Sequence, residues 1–432
     1  MGERPDSAGR GALVSWALYD WANQAFATVV QTFVFAVYFT RRVAADETTG
    51  THLWGNAIAA GGIVVAVLAP VLGAVADRRG RRKPWLGAFM GLCVAATAAL
   101  WFVRPDPAWT WPAMGLLALG TVGLQGSIVF YNAMLPGLAS PDRIGRWSGW
   151  AWALGYAGGI ASLGLVLFAF GRGEDSWFQV GGEAGQVRAM FPVVAVWILL
   201  FSLPLYFFTP DAVQAAREPV RRSVCEGLVQ LRRTVRDVWH HKAIFRFLVA
   251  RALYVDGLAT IFAMGGVYAA GTFEMSEREI LVFGLALNVS AGLGALGFSF
   301  IDDRIGSRRS IIASLMGLIL AMGGALCSFT EGWFWFFGVS LGVFVGPVQA
   351  SSRAYLSRLA PPGMRTQLFG FYALADKSTA FMGPLLVGWL TAMSGSQRVG
   401  MSVILLFLAG GLFVFRTVPG EAESGRCGSR GS

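Results

Sequence analysis

Twelve stretches of this chain are long and apolar enough to cross a bilayer, at roughly 13–39, 53–76, 85–103, 111–135, 147–170, 190–209, 244–271, 279–301, 310–329, 333–357, 367–392 and 399–417. A helical crossing needs about 20 mostly apolar residues. Lipid offers the backbone no hydrogen-bond partner, so only helices and closed barrels can cross it. The alternating segments of about 10 residues that build a barrel are absent. The expected fold is an all-α polytopic membrane protein, with twelve transmembrane helices in two six-helix pseudo-symmetric bundles. Composition agrees: 55% of the 432 residues are hydrophobic and 14% charged, against about 25% charged in soluble proteins.

The net charge of +10 sits mainly in short loops between the apolar runs, which argues for membrane orientation and against nucleic acid as a partner. Lys and Arg concentrate in the termini and every second loop, so both termini are expected in the cytoplasm. The longest inner loop, 210–243, carries Val224, Leu228, Leu231, Val235 and Val238 with arginines between them. That spacing reads as an amphipathic basic linker lying on the anionic inner leaflet. It divides the chain into an N-terminal bundle at 1–209 and a C-terminal bundle at 244–417, followed by a tail at 418–432. No cleavage site follows the first apolar run, which is read as a retained helix. The four Cys and three His show no metal-ligand spacing, so no metal, cofactor or disulfide framework is expected.

The two halves repeat each other. DRRGRRK at 77–83 is matched by DRIGSRR at 303–309, an offset of 226 residues (303 − 77). NAMLPGLASPDRIGRWSG at 132–149 aligns with RAYLSRLAPPGMRTQLFG at 353–370, an offset of 221 (353 − 132). The first and seventh spans share Ala-Leu-Tyr, followed within two residues by Asp20 and Asp256. Duplicated bundles related by an axis along the membrane normal are a transporter architecture.

The stretch Gly73 to Lys83, between spans two and three and echoed between spans eight and nine, resembles the signature loop of the major facilitator superfamily. That resemblance implies a cytoplasmic gating motif of Gly73, Asp77, Arg78, Gly80 and Arg81, with Asp303, Arg304 and Gly306 as its second copy. Ser299 stands where the first copy has Gly73, so the second latch is expected to be looser. SWALYDWANQAF in span one, YVDGLATIF in span seven and DKSTAFMGPLLVG in span eleven are similar to the vacuole-effluxer-like branch, also called the unknown major facilitator family. Its fungal members resemble exporters of amino acids from the vacuole. This implies a secondary transporter of a small solute, amino-acid efflux being favoured over efflux of a lipid-like or drug-like amphiphile.

Polar groups inside the spans are costly and therefore mark a wet cavity by default. Asp20 and Asp256 are both expected to face a central cavity, with Asn23 beside Asp20 on the stripe that continues through Ala27 and Gln31. Asn132 is a further lining candidate, as are Asn288 and Gln349. Lys377 is the one intramembrane lysine: it either pairs with Asp376 or Asp256, or meets a carboxylate on the solute. Arg251 is expected to reach toward the cytoplasmic end. A buried carboxylate can carry a coupling proton, and Asp20 and Asp256 are the candidates. Gly155, Gly158 and Gly159 in span five match an antiporter motif poorly and read as close packing. No nucleophile–base pair supports an enzyme, and no large soluble domain supports a receptor. A monomer in a bacterial inner membrane, with lipid and a small solute as partners, is the resulting expectation.

Overall fold

The computed structural model describes residues 9–79, 81–170, 177–182, 184–211, 242–361, 363–380 and 382–418. Most of the proposed linker, residues 212–241, and the tail from 419 lie outside them, as does Gly80. Among the described residues there is no strand. The apolar runs all become helices, because each backbone group must find its partner within its own segment.

The first six helices are α1 (Arg10–Ala25), α2 (Glu47–Arg79), α3 (Lys83–Ala99), α4 (Thr110–Leu138), α5 (Ile144–Phe170) and α6 (Gly185–Phe208). α1 runs on to Val43 through wider turns at Phe26–Phe33 and Phe39–Val43. The widening has a local cause. The Thr32 hydroxyl donates to the Ala27 carbonyl five residues back at 2.8 Å, drawing off an acceptor that the tighter α-helical ladder uses. Wide turns of this kind gather at functional sites. The second set is α7 (Lys242–Phe273), α8 (Glu277–Ile305), α9 (Ser307–Cys327), α10 (Glu331–Leu359), α11 (Arg365–Ser378), α12 (Met382–Ser394) and α13, which runs from Gln397 to Arg416 with a turn at Ser402.

Among the described residues, eleven helices are long and apolar enough to span, rather than twelve. The difference falls on the eleventh span, expected as one run over 367–392. It is divided into α11 and α12, with Thr379 and Ala380 outside the helices. Pro384 sits in the first turn of α12, where a missing N–H costs nothing to α12 itself but leaves the preceding turn without a donor. The Thr379 hydroxyl turns aside to the Ala252 carbonyl of α7 at 3.0 Å.

The apolar core falls into two clusters. One gathers Trp16, Phe26, Phe35, Tyr131 and Phe191 from the first six helices; the other gathers Phe247, Tyr254, Phe334, Tyr355 and Phe415 from the remainder. Large apolar side chains such as Leu199, Phe207, Leu320 and Phe413 are exposed on the outer surface, as a lipid-facing surface requires.

The two halves close against each other near the face that carries the termini. A Cβ on Gly73 of α2 would lie 2.7 Å from the Thr366 carbonyl oxygen, and one on Gly370 of α11 would lie 2.7 Å from the backbone of Pro70. Only glycine permits that approach. Asp77 at the end of α2 then accepts from the backbone N–H groups of Thr366 and Gln367 at 3.1 and 3.0 Å, and from the Thr366 hydroxyl at 2.6 Å. These are the first free donors of α11, so a carboxylate from one half caps a helix of the other. The second copy does the same in reverse. Asp303 at the end of α8 accepts from the Arg146 N–H in the first turn of α5 at 3.1 Å, and Arg358 joins it at 3.3 Å. Gly306 turns the chain there at φ 87°, a conformation that favours glycine.

The motif residues divide accordingly. Gly73, Asp77, Asp303 and Gly306 stand at these contacts, while Arg81 and Arg304 are exposed. Arg82, two residues past Gly80, is the arginine that pairs with Asp77 among the described residues, at 3.1 Å. The side chain of Arg78 lies outside the described residues.

Candidate functional site: a polar cavity at the bundle centre

A cavity of about 280 Å³ lies between α1, α4, α7, α10 and α11. Its floor, toward the closed face, is tied by one arginine. Arg353 of α10 is 3% exposed and donates to Asp20 of α1 at 2.9 Å, to Asn132 of α4 at 3.3 Å, and to the hydroxyl and carbonyl of Ser148 of α5 at 2.8 and 2.7 Å. It thus joins α10 to three helices of the other half. The planar guanidinium suits this many-sided role, since its donors are fixed in a fork. The rings of Trp16, Tyr131 and Trp152 surround it, with centroids 5.1–5.8 Å from its central carbon.

Asp20 is fully engaged. One oxygen takes Arg353 and the Tyr131 hydroxyl at 3.1 Å; the other takes the Asn23 amide at 3.3 Å. The cost of a carboxylate in span one is therefore offset by a cation and two hydrogen bonds. Trp16 stacks on Tyr131 at 4.5 Å and donates to its carbonyl at 3.0 Å, which fixes the ring that holds the acid.

A second pair lies across the cavity. Arg251 of α7 meets Asp376 of α11 at 2.7 and 2.9 Å and the Gln349 side chain at 3.2 Å. Its guanidinium lies flat over Tyr372, 3.6 Å from the ring centroid. Arg251 is 2% exposed, so it does not reach toward the closed face as its position in the sequence suggests. The paired acid and the aromatic shelf hold it in place.

Asp376 is thus taken, and Lys377 has no ion pair among the described residues. It lines the cavity with its stem against Gly62 of α2. Two Arg–Asp pairs cancel, which leaves one positive charge in the lining.

Asp20, Asn23, Asn132 and Lys377 all line the cavity, as do Gln349 and Arg251. Asp256 does not, and the expectation that both acids share one cavity is corrected. The helix turn that follows Arg251 and Val255 carries Asp256 away from the opening, where it is 1% exposed. One of its oxygens accepts from the Gly383 N–H at the start of α12, at 3.3 Å. Asn288 also lies elsewhere, in a small void with Gln24 and Tyr156, and its amide turns back to the Gly284 carbonyl at 2.9 Å.

Arg353 is the residue that sequence reading passes over. It lies close to an inner loop rich in basic residues and reads as one of them. The signal that finds it is the repeat itself: at an offset of 221 it is the counterpart of Asn132, and the two are bonded in the structure.

The family model described as "Vacuole effluxer Atg22 like" matches residues 47–426. An uncharacterized MFS-type transporter, YxiO, of Bacillus subtilis is 28% identical over 419 residues, covering 95% of each chain. Autophagy-related protein 22 of Cryptococcus neoformans is 25% identical over 278 residues, covering 59% of this chain and 49% of its own. The chain therefore spans about half the length of that fungal relative. Among solved structures, the fucose transporter FucP in the outward conformation superposes with a TM-score of 0.72 at 13% identity, covering 95% of this chain and 98% of its own. The proton:xylose symporter XylE gives 0.70 at 15%, covering 95% and 96%. These two likenesses speak to the fold alone. With the duplicated bundle, the two capped motif loops and the central cavity in place, the chain belongs to the Atg22-like branch of the major facilitator superfamily, a multi-pass membrane transporter of the alternating-access type.

Proposed function

We propose that the chain is a secondary active transporter that moves a small solute bearing a carboxylate, with an amino acid as the favoured cargo. The observation that carries this is the charge left in the cavity. Two arginines are consumed by Asp20 and Asp376, and Lys377 remains to receive an anion. Asn23, Gln24, Gln31, Gln125 and Asn132 add amides to the lining, which suit an ammonium or a hydroxyl on the same solute. A paired, desolvated site of this kind favours a solute with matching groups, because any buried charge left alone is expensive.

The basic loops orient the closed face toward the cytoplasm. On that reading both termini are cytoplasmic, the cavity is reached from the opposite side, and export is the favoured direction. The family's description as vacuole-effluxer-like supports export, and the favoured setting is a single copy in a bacterial inner membrane. Coupling to a proton supplies the driving force.

Counterflow tests the reading. Purified protein in liposomes is loaded with each of a panel of unlabelled amino acids and given the labelled form outside. Transient accumulation of at least one amino acid is expected, with at least a tenfold loss in Lys377→Met. No accumulation of any amino acid by protein that remains folded after reconstitution would overturn the substrate class.

A further inference from the structure

Among the described residues, four carboxylates cap the start of a helix in another element: Asp77 on α11, Asp303 on α5, Asp256 on α12 and Asp211 on α3. The first two carry an arginine as well. Asp256 carries none. Its Oδ1 accepts from the Gly383 N–H, and its Oδ2 is buried without a partner among the described residues. The neighbouring Thr260 hydroxyl is turned to the Asp256 backbone carbonyl at 2.7 Å.

Charged groups on every element packed against α7 are committed or remote. Arg251 on its own helix holds Asp376 of α11. Arg353 of α10 holds Asp20, and Arg358 holds Asp302 and Asp303 of α8. Arg398 and Arg416 sit at the ends of α13. Glu277, Arg278 and Arg304 sit near the ends of α8, and Arg365 begins α11. Lys377, on α11 just before the break, lines the cavity. None makes an ion pair with Asp256 among the described residues.

We infer that Asp256 is the proton-binding site of the transporter, and that its protonation loosens the cap on α12 at the break in the eleventh span. This rests on the transport reading above and names the residue that couples it. A buried carboxylate needs a counter-charge or must be neutralised. A metal cation fits poorly, because the positive end of α12 already faces the site. A proton fits: it joins Oδ2, and Oδ1 remains an acceptor. The Gly383 bond then weakens, since a neutral carboxyl accepts less strongly than a carboxylate. The cap and the cavity share one short segment. Lys377 stands on one side of the break and Gly383 on the other, six residues apart. Freeing α12 frees the turn that presents Lys377 to the solute. Gly383 itself has no room for a side chain, as a Cβ there would collide with Thr260 and come within 3.1 Å of Asp256. Asp20, by contrast, has both oxygens filled, one of them by Arg353.

Asp256→Asn tests this, because an amide keeps the acceptor and removes the proton site. In liposomes it should retain counterflow within about twofold of the parent chain while losing at least tenfold of the accumulation driven by a pH gradient. Retained pH-driven accumulation, or proportional loss of both activities, would overturn it. A second measurement needs no transport by the variant. Addition of amino acid to the unmodified protein in weakly buffered detergent should change the signal of a pH dye, and Asp256→Asn should abolish the change. An equal change in both proteins assigns the proton elsewhere. Absence of counterflow in the unmodified chain sinks the transport reading instead, so the two failures are distinct.

Discussion

The fifth and eleventh spans are counterparts in the repeat, and they have diverged in opposite directions. At an offset of 221, Gly155, Gly158 and Gly159 of α5 answer to Asp376, Thr379 and Ala380. α5 is one unbroken helix pressed against α1: a Cβ on Gly158 would lie 2.4 Å from the Trp21 carbonyl oxygen. The eleventh span is broken, carries an acid and a lysine into the cavity, and ends its break on a capped half-helix. One half thus supplies a rigid wall and the other the charged, jointed parts. Duplication supplied the frame, and the chemistry came from breaking its symmetry. The same contrast holds between Asn132 and Arg353, where an amide answers to a buried cation.

That contrast can be broken experimentally. Arg353→Met leaves Asp20 buried without its cation, and removing one partner of a buried pair costs about 3–5 kcal/mol. Its counterpart Asn132→Ala removes a single 3.3 Å bond, worth about 1 kcal/mol. Thermal unfolding in detergent should separate the two clearly. Equal losses would mean that the two counterparts share the load after all.

Gly158→Leu should destabilise by about 1–3 kcal/mol through overpacking against α1. Thr379→Ala, at the equivalent place, forfeits only the bond to Ala252, at about 0.5–1.5 kcal/mol. The same unfolding assay reads both. A larger loss at 379 than at 158 would reverse the assignment of rigid and jointed halves.

The closed face offers an effect of similar size, read as accessibility. Thr366→Val removes the 2.6 Å hydroxyl bond to Asp77 and the acceptor of Arg82 Nε at 2.8 Å, but keeps the backbone caps. About 1.5–3 kcal/mol rides on a hydrogen bond to a charged group. Labelling by a water-soluble thiol reagent added from the cytoplasmic side should rise several-fold at a cysteine placed at Asn132. Unchanged labelling would show that the cap alone holds the face shut. Asn288→Ala should change solute affinity least, by under about twofold, since its amide serves its own helix. A tenfold change in counterflow affinity would bring its void into the transport path.

The sequence exposes the frame because lipid imposes a simple rule: length and apolarity must match a bilayer. It also exposes the repeat, since both motif loops place a carboxylate that caps a helix of the other half. Asp20, Asn23, Asn132 and Lys377 are legible because a polar residue in a span asks for water. What sequence cannot supply is partnership. Asp20 and Asp256 look alike in the first and seventh spans, yet one faces a guanidinium 333 positions away and the other a helix end 127 positions away. Nor does periodicity reveal the break in span eleven: Pro384 marks it only once α7 is known to receive Thr379 and cap Gly383. Arg353 hides for a similar reason, as its neighbours in sequence are loop residues and its neighbours in space are three other helices.

Alternating access requires the halves to rock around the cavity, opening one face as the other closes. Pulsed electron–electron distances test it most directly. One spin-label pair sits on the open face at His52 of α2 and Met393 of α12; the other sits on the closed face at Asp142, beside α5, and Arg304 of α8. All four positions are exposed, and they replace residues in a chain freed of its native cysteines. Upon addition of a transported amino acid, the first distance should shorten while the second lengthens. Two distances that stay fixed, or that change in the same sense, would contradict alternating access in this chain.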